Sequence, residues 1–340
     1  MATIKEIAEL SGVSRGTVDR VLNRRGAVNE KTAEKVLEIA RLLNYQPNKA
    51  GIALAAQKKK LRIGVLLFGA DNPFFDEVME GLLHKLEELS VYACTVEERR
   101  ISFDRNAQLA AIDALTAAGI HGLILSPCND EAVRRKIDAL SEKGIPCVTV
   151  NTDLPDSRRI AYVGSDYYKC GRTAGELFSL LTGDSAEIGI ITGSRNVLCH
   201  EERIRGLRDF IADGHEGLHV AAVTVNDDDD YKSYEAVSSL LAAHPTLSAL
   251  YFTAAGVHGG CRAVLDAGLP APPRIVTFDA LPKIREMLAQ GVISATICQQ
   301  PKEQGAKSLT LLVDYLLTGV LPAQSAVLTE LNIQIRESLS

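Results

Sequence analysis

Nowhere in its 340 residues does the chain hold an apolar run of the roughly 18 to 20 residues that a membrane helix needs. Its first residues, Met1-Ala2-Thr3-Ile4-Lys5-Glu6, lack the basic n-region and apolar h-region of a secretory signal, so none is expected. Cysteines at 94, 128, 147, 170, 199, 261 and 298 are scattered and never spaced Cys-x-x-Cys. That disfavours a disulfide framework or a zinc site, and fits small core hydrophobes in a reducing cytoplasm. No nucleophile–base pair or metal-ligating constellation is evident. Gly256-Val257-His258-Gly259-Gly260 lacks the G-x-G-x-x-G spacing of a nucleotide loop. Asp227-Asp228-Asp229-Asp230 lacks the Gly and the loop spacing of an EF-hand, and reads as a solvated loop tip at the cleft. These absences argue against an enzyme and leave no metal or cofactor to expect.

What is present is ordinary for a folded protein: 46% hydrophobic and 24% charged residues, too apolar for disorder. At about 150 residues per domain, two to three domains are expected. The net charge of −6 conceals an asymmetry. Residues 1–60 hold twelve Lys and Arg against six Asp and Glu, a net +6, which leaves −12 on the remainder. A basic head on an acidic body fits a nucleic-acid-binding module joined to an unrelated domain.

Thr3 and Glu6 form a capping box opening a helix through Leu10, with Ile4, Ile7 and Ala8 along one face. Gly12 breaks it. Ser14 caps a second helix, from Arg15 to Leu22, with Val18, Val21 and Leu22 inward and Arg15, Gly16, Asp19 and Arg20 outward. A third helix runs from Glu30 to Leu43, burying Val36, Ile39, Ala40 and Leu43. Two short helices across a tight Gly-containing turn, backed by a third, make a helix-turn-helix whose second helix enters the major groove.

The run Ala8-Glu9-Leu10-Ser11-Gly12-Val13-Ser14, then Thr17-Val18, Arg20-Val21-Leu22-Asn23 and Leu43-Asn44-Tyr45-Gln46-Pro47-Asn48, carries a resemblance. It resembles the DNA-binding head of the lactose-repressor/galactose-repressor family of bacterial transcription regulators, over residues 3–56. The resemblance puts Arg15, Gly16 and Arg20 at base-reading positions, where Arg can grip guanine O6 and N7. It puts Thr3, Ser14, Asn23, Asn29 and Thr32 at phosphate contacts, with Thr17 also on the DNA-binding face. Asp19 departs from the family's usual Ser. Residues 48–56 resemble the family's hinge helix, which folds on DNA against its dimer mate and wedges a Leu into the minor groove; Leu54 matches that wedge. Gly51 costs this hinge about 1 kcal/mol of helix propensity relative to Ala.

From Leu61 onward, near-continuous apolar runs alternate with helical stretches. The runs 62–68, 122–126, 147–150, 161–163, 187–191, 250–252 and 274–278 read as buried parallel strands. Helices are expected around 76–89, 107–118, 131–143, 169–182, 201–213, 232–243, 257–267, 281–290 and 301–317. This βαβ repetition implies doubly wound parallel sheets, with too many strands for one compact unit, hence two lobes and a cleft.

Ligands of such sheets bind beyond the carboxyl ends of the strands. There the chain carries Asn72, Phe74, Phe75, Asn151, His200, Glu201, Arg203 and Asp279, and Gln299 after Ala295-Thr296-Ile297-Cys298. Amides and carboxylates suit hydroxyls that donate and accept, and aromatic faces cover the C–H face of a sugar ring. Asp279 is equally suited to capping a helix. Asn72-Pro73-Phe74-Phe75, Arg203-x-x-Gly206, Phe278-Asp279 and Ala295-Thr296-Ile297-x-Gln299-x-Pro301 resemble the ribose-binding type of periplasmic sugar-binding protein. That resemblance implies that Asn72, Phe74, Phe75, Asn151, Arg203, Asp279 and Gln299 line a sugar site. Asn151-Thr152 replaces the ribose binder's Asp-Arg, and Ala254-Ala255 its Asn-Asp, so the expected ligand shifts from ribose to another pentose, polyol or cyclitol.

The expected organisation is an all-α helix-turn-helix head (1–46), a hinge helix and linker (47–60), and an α/β two-lobed periplasmic-binding-protein-like effector and dimerisation domain (61–340). The expected function is a cytoplasmic transcription regulator, a homodimer on a near-palindromic operator, controlled by a small sugar or polyol. Release of DNA by the effector is the commoner arrangement in the family. A transport-type periplasmic sugar binder is the alternative, and residues 1–60 argue against it. The C-terminal residues 332–340 show no sustained heptads, so a coiled-coil tetramer is not expected.

Overall fold

The computed structural model describes residues 3–22, 28–43, 45, 57, 60–69, 72–194 and 197–339. The expected DNA contacts Asn23 and Leu54, and the hinge helix itself, lie outside the described residues.

The head is three helices, α1 (Ile4–Ser11), α2 (Arg15–Leu22) and α3 (Glu30–Leu42). The capping box forms as expected: Thr3 N donates to Glu6 Oε2 at 2.7 Å and Glu6 N to Thr3 Oγ1 at 3.2 Å. Gly12 ends α1 at φ +69°, a left-handed cap that favours glycine. Ser14 Oγ accepts from Thr17 N at 3.1 Å and caps α2. Ile7, Ala8, Val18, Val21, Val36 and Ala40 make a small core of their own, while Leu10 points outward at 59% exposure.

The body contains two six-stranded sheets. The first is ordered β11–β5–β4–β3–β1–β2, from β1 (Arg62–Phe68), β2 (Thr95–Ile101), β3 (Gly122–Leu125), β4 (Cys147–Val150), β5 (Ala161–Gly164) and β11 (Ala326–Leu328). The second is ordered β12–β10–β9–β8–β6–β7, from β6 (Ala186–Thr192), β7 (Leu218–Val225), β8 (Ala249–Phe252), β9 (Arg274–Phe278), β10 (Ala295–Cys298) and β12 (Asn332–Gln334). All pairings are parallel except β10–β12.

Five strands are not among the apolar runs: β10, expected only as the segment before Gln299, is central, and the other four, β2, β7, β11 and β12, are the four sheet edges. An edge strand has one neighbour and a partly wet face, so it needs no continuous apolar run. β2 accordingly reads Thr-Val-Glu-Glu-Arg-Arg-Ile and is half exposed.

Helices α4 (Pro73–Glu88), α5 (Arg105–Ala117), α6 (Glu131–Glu142) and α12 (Pro301–Thr318) cover the first sheet. Helices α7 (Tyr167–Thr182), α8 (Leu198–Ala212), α9 (Asp230–Ala243), α10 (Val257–Asp266) and α11 (Pro282–Ala289) cover the second. Several begin two to three residues before the apolar periodicity does. Asn72, Asp104, Asp166 and Asp229 cap them, and the first turn needs a cap more than a buried face.

The chain crosses between lobes three times, after β5, after β10 and after β11. Thr329 ties the crossings together. Its N donates to Gly164 O at 2.8 Å, and its Oγ1 lies 2.9 Å from Gln299 O and 3.1 Å from Ser165 Oγ. All seven cysteines are free thiols, six of them buried. Among the described residues no helix is long and apolar enough to cross a membrane.

Candidate functional site

The loops after β1, β4 and β6 to β10 converge on a cleft between the lobes, with an empty volume of about 490 Å³ that includes space open to solvent. The groups lining it lie at or just beyond the carboxyl ends of strands or in the first two turns of the helices that follow, as this architecture requires.

On the first lobe, Asn72 Oδ1 accepts from Phe74 N at 3.1 Å and fixes the start of α4. This seats Phe74 and Phe75 edge-to-face at 5.2 Å, both buried and both against the cleft. Asn151 lines the same wall at φ +66°, a conformation that Asn tolerates. Its Nδ2 donates to the Tyr167 hydroxyl at 3.1 Å, and its carbonyl accepts from the hydroxyls of Tyr167 and Tyr162.

The second lobe contributes a buried polar chain. Asp279 accepts from Gln299 N at 3.0 Å and from Gln299 Nε2 at 2.6 Å. Gln299 Oε1 accepts from Arg203 Nη2 at 2.6 Å, and Arg203 Nη1 donates to Thr253 O at 2.6 Å. The guanidinium lies 3.7 Å from the Phe278 ring centre and 4.8 Å from that of Tyr167. Arg203 is seated by a tight crossing of α7 on α8, where a Cβ at Gly171 or Gly206 would run into the facing backbone. Burial pushes the Asp279 carboxyl up to about 6, against the pull of Arg203 and of the Gln299 donors. Asp279 does not cap a helix: α11 starts at Pro282, behind Leu281.

His200 and Glu201 part company. His200 is buried in the cleft wall, its Nδ1 3.1 Å from Ser194 O, whereas Glu201 is exposed and does not line the cleft. The helix begins at Leu198, so His200 and Arg203 share a face three residues apart while Glu201 turns outward. The assignment of Glu201 as an effector contact is therefore corrected.

Two groups escaped the sequence reading. Cys199 lines the cleft beside His200. Burial opposes charge on both, but the imidazole and Arg203 hold the thiol below its ordinary value, and the sulfur holds His200 above its own. Asp228 also lines the cleft, although its run reads as a solvated loop tip. Its neighbours do stay outside: Asp229 caps α9, and Asp227 pairs with Lys232 at 2.8 Å. Nothing in four consecutive aspartates tells which one turns inward; Asp227 and Asp228 both have positive φ, and hydrogen bonds to Asn226 and Ala255 hold Asp228 inward.

On the head, Arg15, Gly16 and Arg20 lie exposed on α2, with Thr17 half-buried between them. Arg20 folds back along its helix, Nε donating to Gly16 O at 3.2 Å and Nη2 to Thr17 Oγ1 at 3.3 Å. Thr3, Ser14 and Asn29 sit exposed at helix starts, Asn29 accepting from Lys31 N at 3.0 Å as the cap of α3, and Thr32 lies half-buried one turn on. Asp19 lies close enough to Tyr45 to help burial raise that phenol.

Comparison with known proteins agrees with both halves. Residues 3–48 match the bacterial regulatory proteins of the lacI family, and residues 63–319 match a periplasmic binding protein domain. The probable HTH-type transcriptional repressor ExuR of Bacillus subtilis is 30% identical over 287 residues, 82% of each chain. The ribose operon repressor of Halalkalibacterium halodurans is 29% identical over 92% of this chain and 90% of its own. The crystal structure of GanP, a glucose-galactose binding protein from Geobacillus stearothermophilus, superposes with a TM-score of 0.75 at 27% identity, covering 82% of this chain and 99% of that one. With a helix-turn-helix head and a two-lobed binding body in one polypeptide, the chain belongs to the lacI family of bacterial regulatory proteins.

Proposed function

We propose that the chain is a cytoplasmic repressor that binds a near-palindromic operator as a homodimer, with operator affinity set by a small sugar or polyol held between its lobes. One observation carries this reading: a head with exposed arginines on its second helix shares a chain with a cleft of edge-to-face phenylalanines, amides and carboxylates. The first suits base edges, and the second suits a polyhydroxylated ring. The effector acts by differential affinity for two lobe arrangements, so it shifts operator affinity by no more than that difference. The crossings tied by Thr329 are where the lobes turn, and residues 48–56 carry the motion to the DNA. No metal, cofactor or chemical turnover enters this scheme. A transport role would leave the head without a use.

Thermal melts against pentoses, hexoses and polyols identify the effector, and a gel shift with and without it reads the coupling. The expected result is one or a few stabilising sugars that change operator binding. Turnover of such a sugar, or stabilisation without any change in DNA binding, would contradict the proposal.

A further inference from the structure

One carboxylate oxygen in the cleft is left without a partner. Asp228 sits on the loop between β7 and α9, and its Oδ1 accepts from Ala255 N at 2.9 Å. Asn226 braces the loop, its Oδ1 accepting from Asp228 N at 3.0 Å and its Nδ2 donating to Ala255 O at 2.8 Å. The side chain is thus held in one orientation. Its other oxygen, Oδ2, is shut off from solvent and makes no hydrogen bond among the described residues. A Cβ placed on Gly193 would lie 2.5 Å from this Oδ2, 2.6 Å from His200 Cε1 and 3.0 Å from the Ala254 methyl. Beside Gly193, Oδ2 thus shares its space with a ring C–H and a methyl group, neither of which donates a conventional hydrogen bond.

The donors of Arg203 and His200 do not reach Oδ2: most are committed elsewhere, and Arg203 Nε, itself without a partner among the described residues, does not bond to it. Arg203 spends Nη1 on Thr253 O and Nη2 on Gln299 Oε1, and His200 Nδ1 faces Ser194 O. A buried acceptor fixed in place beside a ligand cleft is satisfied by a donor on the ligand. The cleft also holds a second carboxylate, Asp279, and, among the described residues, the Arg203 guanidinium, whose Nη1 and Nη2 meet protein oxygens while its Nε has no partner. An anionic group that reached Oδ2 would meet a like charge there.

We propose that Asp228 is a direct effector contact, accepting a hydrogen bond from a neutral or amino-bearing polyol and turning away sugars that carry a carboxylate or phosphate. This rests on the sugar-binding reading above and narrows its ligand class. Like-charge juxtaposition and an unpaired buried acceptor are both effective against the wrong ligand.

The test is calorimetry on the full-length protein with galactose, galactosamine, galacturonate, ribose, ribose 5-phosphate and myo-inositol. Wild-type protein is expected to bind at least one neutral or amino compound, and to bind acidic members at least about 10-fold more weakly. Asp228→Asn puts an amide on the same frame and is expected to weaken that compound about 10-fold or more. Asp227→Asn, on the exposed neighbour, is expected to leave it unchanged. Galactosamine above galactose assigns an ammonium donor, and the reverse assigns a hydroxyl; either supports the proposal. If Asp228→Asn does not fold, Asp228→Ser, which still offers a hydroxyl to Ala255 N, decides. Wild-type affinity in the folded variant, or galacturonate bound more tightly than galactose, overturns the role of Asp228 and leaves the sugar reading standing. A wild-type protein that binds none of the six overturns both.

Discussion

Arg203, Gln299 and Asp279 form one hydrogen-bonded unit, so a change at any of them reaches the others. Asp279→Ala removes an acceptor for sugar hydroxyls and also frees Gln299. Charge-assisted hydrogen bonds of about 1.5–3 kcal/mol each imply effector binding weakened by about 10-fold to several hundred-fold. Operator binding without effector should persist, because the head has its own core. Calorimetry with the effector and a gel shift without it check the two halves; unchanged sugar affinity would remove Asp279 from the contact set.

Asp279 also gives a pH signature. Its carboxyl is raised from 3.8 to about 6, so the folded chain holds this proton more tightly than the unfolded chain. Its favourable contribution to stability is complete below pH 3.8 and is lost as pH rises through about 6. Effector binding runs the other way, since the ionised form is the acceptor: affinity should fall about 10-fold between pH 7 and pH 5. Asp279→Asn should flatten that profile, and a profile unchanged by it would assign the titration to another group. On the head, Arg20 must leave Gly16 O and Thr17 Oγ1 to reach a base. Arg20→Ala should cost roughly 1–3 kcal/mol on the operator with little change on random DNA, and equal losses on both would make Arg20 a phosphate contact. Residue types after strand ends exposed most of the cleft to sequence reasoning. The outward turn of Glu201 and the burial of Asp228 within a loop expected at the cleft were not legible, because a helix start and hydrogen bonds to Asn226 and Ala255, neither written in residue type, decide which way they turn.

At the scale of elements, the legible parts were those whose surroundings are apolar on every side. The central strands announce themselves as runs such as Ile63 to Phe68, all buried. The edges and the three crossings do not, because their stability comes from backbone pairing and from polar contacts far apart in sequence. Thr329 is the clearest case, joining segments 165 and 30 residues away through one hydroxyl. Thr329→Val keeps the shape and removes those bonds, so about 1 kcal/mol of stability should be lost, read in a thermal melt. The effector concentration that half-changes operator binding should shift as well. An unchanged melt and an unchanged midpoint would mean that the crossings are held by the lobes rather than by this cluster.

For the whole molecule, the charge asymmetry was the earliest sign of two functions in one chain, and the helix-turn-helix spacing gave it meaning. The coupling between head and cleft is a property of neither half. It rests on one polypeptide having a DNA-bound and an effector-bound arrangement that exclude or favour each other. The most direct test selects duplexes from a random pool with the full-length protein, then titrates the selected duplex by fluorescence anisotropy with and without the sugar that raises the melting temperature most. The expected outcome is a near-palindromic site whose affinity changes at least about 10-fold with sugar, the low end of an allosteric coupling of 1–3 kcal/mol. Enrichment of no site, or an operator affinity that saturating sugar leaves unmoved, would contradict it.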